Sequence, residues 1–494
     1  MASEFTAYGL WGPSWAGGAR GRRRLDGAWT QRVEAQADVT PGPHLGPRRG
    51  APRARGAVVS TGVTTVADRR PAIRVRMFGR GGNYGLDRWC KGGVSQPNMP
   101  IPSPFHERTG PLCVSHRWKD WGGYLAVCAY DACHQREYYA FRHATGVIDV
   151  TPLYKYEVRG ARAAEFLSRV MVKNINKLKP NQVTYCCWCD DDGKVVDDGT
   201  VTRFADDHYR VTAAEPSLRW FTRLSRGYDV TIEDVSTQIA ALALQGPTSR
   251  DVLKQCTDAD LDKLKFFRMT QARLDDLDVT ITRTGYTGDL GYEVWVDSGD
   301  AVKLWDAVMS AGRNYNIEPC GLDALDMTRI EAGFIMLHVD YFSSPHCVLE
   351  SKKSSPYEIG LGWTVNLDRE PFIGQAALRA EKERGSVWQT VGIELSWEEI
   401  EALYDSYGLP PGLPAAACRD SVPVYLDGKQ VGQITSHTWS PVLKKSVGLA
   451  TIKTPYAKVG AQLKVEHTVE YERRQVSGTI VETPFFNPVR KRKP

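Results

Sequence analysis

Nowhere does this chain hold a run of about 18 apolar residues, so no segment reads as a membrane-spanning helix. A secretory signal with a long apolar core is also missing. Its eleven cysteines are therefore expected to be free thiols in a reducing compartment. No second cysteine pair at zinc-finger spacing accompanies Cys186-Cys187-Trp188-Cys189. That run follows Tyr185 in a strand-like segment, where alternate residues face opposite sides, and it reads as buried structural thiols. No internal repeat is visible. Lysine is nearly missing from residues 1–100, which hold 15 Arg and one Lys against six acids. Arg490, Lys491, Arg492 and Lys493 form a basic tail over 490–494, so the body between the two ends is net acidic. An acidic body excludes a broad nucleic-acid surface outside the termini.

Residues 1–76 are rich in Arg, Gly, Ala and Pro and lack any apolar period. They are arginine-rich like an organellar transit peptide, yet hold only Ser3, Ser14 and Ser60, where such a peptide is usually serine-rich. An upstream extension from a misplaced start fits equally, with Met77 and Met99 as candidate starts. Residues 1–95 are expected to be a disordered or artefactual extension. Localisation is expected to be cytoplasmic, or mitochondrial if residues 1–76 are a transit peptide.

The length suggests two to four domains. From Ser103 onward the texture is globular. Helices are expected at 136–146, ending near Gly146, at 162–172, 249–255 and 301–311. Strands are expected at 147–150, 155–158, 184–188, 200–204, 209–212 and 240–245. After a helix-like insert at 396–407, short strands follow, with Asp427-Gly428 as a hairpin signal. Strands and helices with few βαβ repeats imply an α+β fold. The expected division is a two-subdomain α+β region over 100–389 and a β-barrel-like domain over 390–489.

The most informative stretch is Arg283-Thr-Gly-Tyr-Thr-Gly-Asp-Leu-Gly-Tyr-Glu-Val-Trp-Val296. Gly285, Gly288 and Gly291 recur every third residue, which suits a tight turn with room for a flat ligand beside it. Tyr286 and Tyr292 offer aromatic faces, and Glu293 opens an alternating apolar strand. One carboxylate can take two parallel hydrogen bonds from the guanidine-like edge of a pterin. A glycine-rich hairpin with an exposed glutamate reads the same residues equally well.

Ordered blocks run through residues 120–488: Gly146-Val-Ile-Asp-Val-Thr151, Asp192-Gly-Lys-Val-Val-Asp-Asp198, Leu242-Ala-Leu-Gln-Gly-Pro247, Arg283 to Glu293, Thr328-Arg-Ile-Glu-Ala-Gly333, Gly360-Leu-Gly-Trp363, Phe372-Ile-Gly374, Gly432-Gln-Ile-Thr-Ser436 with Ser440-Pro441, and Gly448-Leu-Ala450. Together they resemble the glycine cleavage T protein (aminomethyltransferase) superfamily of folate-dependent enzymes. The resemblance implies three domains around a central channel that holds tetrahydrofolate, pterin innermost. It implies that Asp198 is the catalytic acid beside the reactive folate nitrogens and that Glu293 and Tyr286 bind the pterin. It places Arg329 near the folate's polar end, with a solvated helix arginine paired to Glu331 as the plainer reading. Trp363 could stack on the aminobenzoyl ring or be a core tryptophan, and Tyr185 could face the channel or be an ordinary strand aromatic.

The chain departs from the family pattern at Asp149-Val-Thr-Pro-Leu153, which lacks the family's histidine, and at Val211-Thr-Ala-Ala-Glu215, where an amide becomes an acid. The segment between Gly333 and Pro356 is altered too, and carries His338, Asp340, Tyr341 and His346. No metal site is expected from the two histidines, whose spacing matches no known ligand set. These departures point to a demethylase that moves a methyl group from a small methylated O-, S- or N-methyl donor to tetrahydrofolate. The alternatives are an aminomethyltransferase served by a lipoyl carrier protein, yielding methylenetetrahydrofolate and ammonia, and a non-catalytic folate-binding regulator.

Overall fold

The computed structural model describes residues 99–414 and 416–493. The extension expected over residues 1–95 lies outside them. Among the described residues no helix is long and apolar enough to cross a membrane.

The central strand Ile239–Gln245 is apolar at nearly every position because both of its faces are covered. Ala240, Leu242 and Leu244 pack with Val294 and Val296 on one side. Ala241 and Ala243 pack on the other with Tyr138, Phe141 and Ala324, from the helices Gln135–His143 and Leu322–Glu331. It is the fourth strand of a six-stranded sheet ordered Met269–Leu274, Leu277–Thr282, Gly291–Asp297, Ile239–Gln245, Thr145–Asp149, Ile317–Pro319. A five-stranded antiparallel sheet is ordered Gln182–Cys189, Val195–Ala205, His208–Ala213, Tyr154–Arg159, Thr231–Asp234. A small three-stranded sheet holds Ile101–Pro102, Tyr124–Ala129 and Arg117–Trp121. The fold is thus α+β with several sheets, and its C-terminal section is a closed six-stranded barrel running from Trp388 to Val481. At the barrel hairpin, Asp427 and Gly428 both take positive φ (48° and 73°), as a two-residue type I′ turn requires.

Gly146 does not end the preceding helix, as expected from sequence. The helix stops at His143, and Gly146 lies inside the strand Thr145–Asp149. Its missing side chain makes room there for the Phe141 ring and the Cys320 sulfur. The helix Leu322–Glu331 carried no amphipathic signal because every residue from Ala324 to Glu331 is buried. The alternation expected of the cysteine run holds: Cys186 and Trp188 enter the core of the five-stranded sheet, while Cys187 and Cys189 enter a second cluster with Ile335 and Tyr341. The two ends of the CxxC therefore face opposite sides, and all three thiols are free.

Candidate active site

Strand alternation separates the two acids of the 192–198 block. Asp197 lies opposite Trp188 in the ladder and Asp198 opposite Cys187. Asp197 is fully sealed, and its carboxylate accepts from the backbone N–H of Asp198 (2.8 Å), Ala214 (3.1 Å) and Glu215 (3.0 Å). It is a backbone clamp. Asp198 is half-buried and takes two phenol donors, Tyr185 at 2.6 Å on Oδ2 and Tyr341 on Oδ1. Burial pushes the Asp198 carboxyl above the ordinary range, and the two phenols pull it part of the way back. Burial and the neighbouring Asp198 charge raise the Asp197 carboxyl as well.

Tyr185 continues the cluster outward. Its ring stacks on Trp363 at 6.2 Å and 24°. Trp363 is no core tryptophan, since it is 62% exposed. The Lys173 ammonium covers its ring at 4.9 Å. Asp198, Tyr185, Trp363 and Tyr341 therefore form one continuous group.

The glycine-rich turn is built differently from the expectation. A methyl group at Gly285 or Gly291 would collide with the side chain of Gln245, which threads between them. That amide is buried, donates to the Thr284 and Tyr292 carbonyls (3.2 and 3.4 Å), and accepts from the Thr287 hydroxyl at 3.0 Å. Gly288 takes φ +76° against Ala332, whose Cβ stands 2.5 Å from where its own would lie. The space between the glycines is filled by protein. Gly285→Ala is expected to cost about 1–3 kcal/mol of stability by overpacking, read from the urea midpoint, with the slope of the transition unchanged.

Tyr292 is likewise a core residue, fully buried and hydrogen-bonded to Arg250 at 3.0 Å. Tyr286 is half-buried. Its hydroxyl donates to the Ile335 carbonyl, and its ring stacks on Phe334 at 5.5 Å. Burial drives its phenol up; the Arg329 charge opposes this and the Asp198 charge adds to it, so Tyr286 lies within electrostatic reach of Asp198. Glu293 stands on the strand after the turn. Its Oε2 accepts from Thr284 (2.8 Å) and Thr282 (3.3 Å), and its other oxygen takes no hydrogen bond among the described residues. Burial raises this carboxyl as well. Among the described residues no hydrogen bond joins Glu293 to the Asp198 group; the turn that leads to Glu293 carries Tyr286.

Arg329 is neither solvated nor paired with Glu331. It is fully buried, with Nε on Asp326 (2.7 Å) and Nη1 on Asp340 (2.5 Å) and on the Phe334 carbonyl (3.1 Å). Its Nη2 is buried without a partner. With no exposed surface, it ties Asp326, Asp340 and the Phe334 carbonyl together. Glu331 instead pairs with Arg142.

Sequence reasoning missed Tyr341 as a site residue. The altered segment after Gly333 drew attention to it, but no local pattern says that its hydroxyl returns to Asp198 from 143 residues away. His338 and His346 turn to Glu215, at 2.9 and 3.9 Å. Among the described residues no group of acids, histidines and cysteines is placed to hold a metal ion.

Residues 107–369 match the GCVT N-terminal domain, and residues 408–487 match the glycine cleavage T-protein C-terminal barrel domain. The chain is 34% identical over 389 residues to an aminomethyltransferase of Geobacillus thermodenitrificans, covering 78% of this chain and 96% of the relative. It is 34% identical over 355 residues to one of Caldanaerobacter subterraneus, covering 71% and 87%. The glycine cleavage system aminomethyltransferase T of Bartonella henselae shares the fold, with a TM-score of 0.67 at 20% identity over 79% of this chain and 99% of that one. The chain belongs to the glycine cleavage T-protein family and is a folate-dependent one-carbon transferase.

Proposed function

We propose that this protein is an aminomethyltransferase, taking an aminomethyl group from a lipoyl carrier protein and releasing ammonia as methylenetetrahydrofolate forms. The observation that carries the reading is Asp198, a half-buried carboxylate with a raised pKa held by two phenols beside an exposed aromatic stack. The family relatives favour aminomethyl over methyl transfer, and the demethylase reading gives way on this point. Of the departures that suggested it, the acid at 215 has a local structural use: the Glu215 carboxylate contacts His338 at 2.9 Å.

The donor set fits a reduced folate. Glu293 has a carboxylate oxygen without a hydrogen bond among the described residues for the amino-pyrimidine edge, Tyr286 lies on the turn that leads to it, and the exposed Trp363 offers ring surface to the aminobenzoyl group. When bound, tetrahydrofolate supplies the two nitrogens that receive the carbon. Both lose a proton in the overall reaction, and the thiol and ammonia each gain one. Asp198 is the group that accepts a proton at Oδ1 or Oδ2 and returns it to the departing amine. Tyr185 and Tyr341 fix the carboxylate and stabilise its charged form. Arg329 serves by holding Asp340, and with it the 334–341 segment.

The test is the product. Tetrahydrofolate incubated with an aminomethylated lipoyl carrier should give methylenetetrahydrofolate and one equivalent of ammonia. Methyltetrahydrofolate from a methylated small molecule, with no reaction from the carrier, would sink the proposal. Glu293→Gln should raise the Kd for tetrahydrofolate by about ten- to a hundredfold in a fluorescence titration, the loss of a charge-assisted pair.

A further inference from the structure

The barrel strand Lys429–Ser440 breaks register between Ile434 and Ser436. In a regular strand, neighbouring side chains point to opposite faces; a bulge re-aims one of them. Here Thr435 and Ser436, adjacent in sequence, both donate to the same atom, Asp340 Oδ1, at 2.5 and 2.8 Å. Asp340 Oδ2 takes Arg329 at 2.5 Å and the Met336 N–H at 2.8 Å. All four side chains are buried. The next residue is Tyr341, whose hydroxyl reaches Asp198.

We propose that the bulge of the C-terminal barrel, through Thr435, Ser436 and Asp340, is a positioning device that sets Tyr341 on Asp198. Thr435, Ser436, Asp340 and Arg329 are then positioning residues for the transfer, none of them touching the reacting atoms. The inference rests on the reading of Asp198 as the reactive acid. It gives a use to a buried carboxylate that is satisfied by hydroxyls 95 and 96 residues further along the chain. A wholly apolar contact would join barrel and loop with less desolvation, but would not fix the direction of the residue that follows.

The experiment compares Thr435→Val, which keeps shape and strand preference, with Thr435→Ser, which keeps the hydroxyl, and adds Ser436→Ala. Thr435→Val and Ser436→Ala should each lower kcat by about three- to tenfold, with the Kd for tetrahydrofolate within about twofold of the parent. Thr435→Ser should recover most of the rate. In a Tyr341→Phe background, neither Thr435→Val nor Ser436→Ala should lower kcat further, because they act through the lost hydroxyl. Unchanged kcat in Thr435→Val and Ser436→Ala, a fully active Tyr341→Phe enzyme, or effects that multiply across the cycle overturn the proposal. Asp198→Asn separates the two readings. A dead Asp198→Asn enzyme beside a fully active Thr435→Val enzyme sinks the positioning device alone, whereas an active Asp198→Asn enzyme sinks both.

Discussion

Asp198→Asn is expected to lower turnover by roughly 10²–10⁴-fold, the usual worth of a positioned acid or base, while leaving tetrahydrofolate affinity nearly intact. The substitution keeps size and shape but cannot take up a proton. It also presents an NH2 where one of two phenols now donates, so Tyr185 or Tyr341 must turn away. Steady-state rates beside a binding titration check it, and a variant that turns over normally would remove Asp198 from the chemistry. Asp197→Asn is the contrast. Its carboxylate receives three backbone N–H groups and is sealed from solvent. An amide has one accepting oxygen, so the cost should appear as stability, about 1–3 kcal/mol. The pH profile has a definite sign. Burial raises the Asp198 carboxyl, so the limb on which it must be ionised should lie above the ordinary carboxylate range. Tyr341→Phe removes a donor to the charged form and should move that limb to still higher pH.

Much of this site was legible as blocks of sequence, and little of it as contacts. The acid pair at 197–198 was visible at the end of its block, and strand alternation gives the two acids their separate surroundings. The position of Trp363 at the end of its block was readable, but a tryptophan gives no sign from sequence of whether it stacks or is buried. Its 62% exposure answers that. The glycines of 285–291 were misread because a missing side chain marks a close approach without naming the partner, here the amide of Gln245 some 40 residues earlier. The pairing of Arg329 with Glu331 was misread because residues two apart on a helix do not face each other; helix spacing gives Asp326, three positions back, and the second carboxylate, Asp340, comes from beyond the helix end. The fold class and the barrel followed from short strands and turn residues. The hairpin Met269–Leu274 and Leu277–Thr282 did not, since Asp275 at φ 50° replaces the expected glycine in its turn.

Glu331→Ala is expected to be the most damaging single change to stability, about 3–5 kcal/mol. Glu331 is fully buried and lies where three elements meet. Oε1 accepts from Tyr138 at 2.5 Å and from Ser440 of the barrel at 2.6 Å; Oε2 accepts from Arg142 Nε at 2.9 Å and Nη2 at 2.5 Å. Removing the carboxylate strands the Arg142 guanidinium at 1% side-chain exposure. Its remaining counter-ion, Asp289 at 3.8 Å, is already engaged by Arg490 at 2.6 and 2.8 Å. Urea denaturation at neutral pH would measure the loss. The mechanism makes a second demand on the same experiment. If the damage comes from a buried unpaired charge, Glu331→Leu combined with Arg142→Met should be less destabilised than the sum of the two single variants, by at least about 1–2 kcal/mol. Strict additivity would place the cost in lost packing instead, and the ion pair would then contribute nothing specific to joining the barrel to the helices.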